Sequence, residues 1–122
     1  MRIYLLSAAF VLIWGLASPS QADFMDGNSL NEWCTAKEGD ANYFQKNASC
    51  RAYVIGVVDD FTLEMDLAKK PKCIPDNSTR GQVVDVVAKY LRDNPGIRHV
   101  SAPILIRMAM VGAFGCSLNR GS

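Results

Sequence analysis

The chain has 122 residues, with four cysteines and thirteen Lys and Arg against twelve Asp and Glu, for a formal charge of +1. That length supports one domain. Near-neutral charge argues against nucleic acid or anionic membrane as a partner, because both select for a concentrated basic face. Lys69-Lys70 with Lys72 beside Pro71 is the one basic cluster, and it reads as a solvated connector.

Residues 1–22 read as an export signal. Arg2 precedes an uncharged apolar run from Ile3 to Leu16, and Ser18-Pro19-Ser20-Gln21-Ala22 offers small residues where a signal peptidase cuts. The apolar run falls short of the ~20 residues a membrane-spanning helix needs. Cleavage after Ala22 leaves residues 23–122 as the mature domain, with Arg2 gone and a formal charge of zero. The compartment implied is an exported one, where disulfides persist.

Four apolar-periodic segments follow, and they predict an all-α, four-helix, up-and-down domain. The first, about Asn28 to Lys37, carries Leu30, Trp33 and Cys34 at helical spacing, with Gly39 closing it. The second, about Ala48 to Ala68, aligns Cys50, Val54, Val57, Val58, Phe61 and Met65 on one stripe. The third opens with Thr79-Arg80-Gly81-Gln82, a capping-box pattern, then buries Val83, Val84, Val87 and Leu91 before Pro95-Gly96 stops it.

The fourth segment, Ala102 to Cys116, has Arg107 as its only charge and apolar residues on every face. Such a helix is expected to be buried all round, as the centre of the domain or as half of a homodimer seam. Tyr53, Gly56 and Gly112 read as core positions that carry a buried hydroxyl or let helices approach closely, and Pro75 as the residue that sets the start of the third helix.

The topology pairs the cysteines. In an up-and-down bundle Cys34 and Cys50 lie at one end, while Cys73 and Cys116 lie at the other. The alternative pairings would join sulfurs most of a helix length apart, whereas bonded Cα atoms must approach within ~7 Å. Spacings of 16, 23 and 43 residues contain no C-x-x-C knuckle, so zinc is not expected, and no other cofactor is implied.

No catalytic constellation is legible. Paired sulfurs are not nucleophiles, and His99 has no histidine partner and lies in the connector before the fourth helix. Asp59 and Asp60 are adjacent, so on a helix they point about 100° apart and do not converge as glycosidase carboxylates must. A binding protein, not an enzyme, is the expectation.

The motifs Gly27-x-x-Leu30-x-x-x-Cys34, Cys50-x-x-Tyr53-x-x-Gly56-x-x-Asp59, Cys73-Ile74-Pro75, Thr79-x-x-Gln82, Tyr90-Leu91-x-x-x-Pro95 and Ala113-Phe114-Gly115-Cys116 span nearly all of the mature chain. In order and spacing they resemble the Rap/Tai family of immunity proteins. One departure is Gly115, where that family usually has proline. The resemblance implies a small periplasmic helical protein, often dimeric, that blocks the active-site cleft of a peptidoglycan amidase delivered by type VI secretion. It also implies that a loop between late helices enters the toxin, here Asp93 to Ser101, with Ile97, Arg98 and His99 as the partner-binding residues. The competing expectation, from another class, is a periplasmic chaperone or stress protein that exposes an apolar helix to unfolded clients. An orphan family member with a different target is the third.

Overall fold

The computed structural model describes residues 24–116; the export signal expected at residues 1–22 lies outside them. Four helices account for the described domain: α1 (Gly27–Cys34), α2 (Tyr43–Leu67), α3 (Arg80–Asp93) and α4 (Ala102–Phe114), with a single 3-10 turn at Pro95–Ile97. Each helix packs against the other three. The four-helix, all-α expectation therefore holds and the cysteines pair as expected, but α1 departs from a simple up-and-down path, because its first amides bond the segment that joins α3 to α4. Cys34 bonds Cys50 with Cα atoms 5.2 Å apart, and Cys73 bonds Cys116 at 4.8 Å.

The local chemistry explains each boundary. Asp26 caps α1, its carboxylate accepting from the Ser29 N–H at 2.8 Å. The helix stops at Cys34, short of the expected Lys37, where Thr35 turns its hydroxyl back onto the Asn31 carbonyl at 2.7 Å. Gly39, with φ +96°, belongs to the following turn and not to the helix end. At 25 residues α2 is about 37 Å long by its rise per residue. It begins at Tyr43, five residues before the expected start, because its first turn buries nothing and so leaves no periodic trace: Phe44 is 86% exposed.

The third helix opens with the capping box read from the sequence. The Gln82 N–H donates to Thr79 Oγ1 at 3.1 Å, and the Thr79 N–H donates to Gln82 Oε1 at 2.8 Å. Its expected core residues Val83, Val84, Val87 and Leu91 are all buried, joined by Ala88. α4 ends at Phe114 because Gly115 takes the left-handed conformation, φ +66°, that terminates helices.

Leu30, Val54, Val87, Leu91, Leu105, Ile106 and Met110 form the fully enclosed centre. Two expectations fail here. α4 is not buried all round, since Ile104 is 51% and Met108 42% exposed; a domain this small has too little volume to surround a helix. Gly56 and Gly112 have open space where a Cβ would stand, so neither mediates close helix approach. That role falls to Gly27. Tyr53 is half-buried, and burial pushes its phenol pKa up.

Candidate functional site

The segment from Asn94 to Ser101 connects α3 to α4 and is held between two helix ends. At the start of α1, the amides of Gly27, Asn28 and Ser29, which lack partners within the helix, are all satisfied. Gly27 donates to the Val100 carbonyl at 3.0 Å and Asn28 to the Arg98 carbonyl at 2.9 Å, while Ser29 and Leu30 donate to Asp26. The Ala102 N–H returns a bond to the Met25 carbonyl at 2.9 Å, completing an isolated antiparallel bridge between Asp26 and Ser101.

The C-terminus of α3 meets the same segment. Its last carbonyls would otherwise face solvent alone. Arg98 Nε donates to the Leu91 carbonyl at 2.6 Å and Arg98 Nη2 to the Arg92 carbonyl at 3.1 Å. Asn94 Nδ2 donates to the Tyr90 carbonyl at 2.8 Å. A cation in this position also complements the negative end of the helix dipole.

Gly27 makes the approach possible. A Cβ on it would overlap Leu105 Cδ1 and lie 2.8 Å from the Arg98 carbonyl oxygen. The leucine could swing aside; the backbone oxygen cannot without moving the segment.

The three residues expected to meet a partner are therefore placed differently from one another. Ile97 is half-buried and packs against the core. The Arg98 guanidinium is turned inward onto the α3 carbonyls. His99 is exposed, and with exposed Pro95 and Gly96 it forms the outer surface of the segment.

A second surface joins α2 and α4. Arg107 Nη1 donates to Glu64 Oε2 at 2.6 Å and Nη2 to Asp60 Oδ2 at 3.1 Å, with its guanidinium carbon 5.4 Å from the centre of the Phe61 ring. Asp60 thus belongs to this face while Asp59 lines a cleft with Ile55 and Thr62, so the adjacent carboxylates diverge as their helical spacing requires. Beside the ion pairs stand Leu63 and Leu67 on α2, 56% and 76% exposed, and Ile104 and Met108 on α4. The i, i+3, i+4 spacing of residues 60, 63, 64 and 67 puts this set on one side of α2. Sequence reading missed Leu63 and Leu67 because Asp60, Glu64 and Asp66 around them look like a solvated acidic face.

Taken together, the fold and these surfaces define a small four-helix domain, closed by two disulfides, that offers a fixed connector and an apolar two-helix face for contact. The chain belongs to the family of Rap1a immunity proteins, whose family model matches residues 26–116, almost the whole described domain. Membership implies a cognate toxin as binding partner. No curated protein and no solved structure matches the chain. Among the described residues, no helix is long and apolar enough to cross a membrane, and no group of three His, Cys, Asp or Glu is placed to hold a metal ion.

Proposed function

We propose that the chain, exported by a signal cleaved after Ala22, is a periplasmic immunity protein for a peptidoglycan amidase delivered by type VI secretion. It acts by occupying the toxin's active-site cleft in a stoichiometric complex and performs no chemistry of its own. The observation that carries this reading is the family match across residues 26–116. The contact segment is Asp93 to Ser101, with Ile97, Arg98 and His99 at its centre. Its exposed outer edge and its fixed backbone suit insertion into a cleft, because a preset loop loses little conformational freedom on binding.

The α2–α4 face supports a homodimer. Leu63, Leu67, Ile104 and Met108 form an apolar patch of the kind that marks protein contacts. Arg107 at its centre is already matched by Asp60 and Glu64 within the same chain, so a second copy meets no unpaired cation. Leu67→Glu with Met108→Glu is expected to give a monomer in analytical ultracentrifugation; an unchanged sedimentation coefficient would remove this face as the seam.

The deciding experiment co-expresses residues 23–122 in a bacterial periplasm with the product of the adjacent reading frame and with a panel of cell-wall amidases. Rescue from lysis by one enzyme, with a stable complex, is the expected result. An oxidised, folded protein that rescues from none overturns the amidase reading. Suppression of aggregation across several unrelated unfolded clients would then favour the chaperone reading instead.

A further inference from the structure

The α3–α4 connector is over-determined for a link of eight residues. The first amides and the last carbonyls of any helix lack partners within it and must be met by capping side chains, water or another segment. Here the connector answers both: its own carbonyls at Arg98 and Val100 accept from the first two amides of α1, and its own arginine supplies donors to the last turn of α3. The two sets of bonds converge on one residue. The Arg98 side chain caps α3 while its carbonyl receives the Asn28 amide, so α1, the connector and α3 share a single junction.

We infer that Gly27 and Arg98 are positioning residues that hold the Asn94–Ser101 connector in its partner-binding conformation, and that Arg98 itself contributes no direct contact to the toxin. This rests on the reading that the connector is the toxin-binding segment. Gly27 is buried, so it cannot touch a partner, yet any side chain there displaces the Arg98 backbone. Arg98 has its Nε and one terminal nitrogen committed to α3. His99, the next residue, is exposed and is left as the one open to a partner.

The distinction is measurable because preset conformation and contact act on different rate constants. If only a fraction of molecules holds the competent connector, the apparent affinity falls by that fraction. The association rate falls with it, while the dissociation rate of the assembled complex changes little. Loss of a direct contact acts mainly on dissociation.

The test uses residues 23–122 and the amidase that the chain protects against, with binding kinetics by surface plasmon resonance and amide hydrogen exchange on the free protein. Arg98→Ala and Gly27→Ala are each expected to lower the association rate about tenfold with dissociation within about twofold, as a competent fraction near one in ten requires. Both are expected to speed exchange of the Asn28 and Ala102 amides, and Gly27→Ala that of residue 27 as well. Arg98→Lys, which keeps a donor near the α3 carbonyls, should recover part of the rate. His99→Ala should instead speed dissociation.

Unchanged exchange at Asn28 and Ala102 in Arg98→Ala overturns the inference without reference to any toxin. So does an Arg98→Ala effect confined to dissociation, which would make Arg98 a contact. Should Gly27→Ala fail to fold, the Arg98 pair of variants still decides the matter. If His99→Ala and replacement of residues 95–99 by glycine and serine both leave affinity intact while exchange responds as expected, the clamp stands and the connector is not the toxin site.

Discussion

Removing the Cys73–Cys116 disulfide tests how much of this domain's stability is chain entropy. The bond closes a separation of 43 residues and Cys34–Cys50 one of 16. On the loop-closure estimate these are worth about 4 and about 3 kcal/mol, so the longer closure should matter more by about 1 kcal/mol. The comparison is best made with alanine pairs, because Cys50 and Cys116 are buried and a serine hydroxyl at either would add a desolvation penalty. Urea unfolding followed by far-ultraviolet circular dichroism reads the difference. Cys73→Ala/Cys116→Ala is expected to lose about 4 kcal/mol, which for a domain of this size lowers Tm by about 16 to 32 °C. Without either bond the loss approaches the ~5 to 15 kcal/mol that a typical domain has in total, so the reduced chain should be largely unfolded. An unchanged urea midpoint, or a larger loss from the 16-residue closure, would refute the entropic account and shift the weight to packing at α1.

Three further outcomes follow from the geometry. Leu105→Ala should cost about 2 to 5 kcal/mol as a core cavity. It should restore only part of what Gly27→Ala loses, since the Arg98 carbonyl stays 2.8 Å from the added Cβ; a double-mutant cycle in urea measures this. Arg107→Ala should cost under about 1 kcal/mol despite its two carboxylate partners, because all three groups meet solvent and such pairs are screened; the loss should shrink further in high salt. For Asp26, the Ser29 amide holds the carboxyl pKa below its ordinary 3.8. The unfolded chain therefore takes up the proton first as pH falls, so this contribution is full above the ordinary value and is lost as pH drops through the folded one. Asp26→Asn should flatten the acid limb of a stability-versus-pH curve, and an identical limb would show that Asp26 is not its source.

Much of the fold was legible in the sequence because it is carried by local, periodic signals. Val83, Val84, Val87 and Leu91 announce the buried side of α3, and Thr79 with Gln82 announces its start, since both patterns depend only on neighbours along the chain. The disulfide pairing followed from helix order alone. What stayed hidden depends on neighbours in space. Gly27 stands in a helix-opening turn like any other glycine, and only the approach of Leu105 and Arg98 from the far end of the chain gives it a role. Arg98 reads as a free cation until α3's carbonyls are placed beside it. α4 misled for the opposite reason: composition records that every face is apolar, but not that one face is left without a neighbour.

The two means of fixing the domain lie at opposite ends, so stability and the order of the proposed contact segment can be perturbed separately. α3 runs from its capped start near Cys73 to the connector, and α4 runs from the connector back to Cys116, so the Cys73–Cys116 bond and the Asn94–Ser101 segment sit a helix length apart. At the connector end, order comes from hydrogen bonds between helix termini and one arginine, each individually worth about 0.5 to 3 kcal/mol and none dependent on the distant sulfurs. Loss of the Cys73–Cys116 bond should therefore reduce the folded population while leaving the connector intact in molecules that remain folded. Measured well below the lowered Tm, the Cys73→Ala/Cys116→Ala protein should bind its toxin with the parent's rate constants. Arg98→Ala should do the reverse, keeping most of the stability and losing association rate. If the disulfide variant loses association rate while still folded, the connector takes its order from the whole bundle, and the junction of α1, Arg98 and α3 is not sufficient to set it.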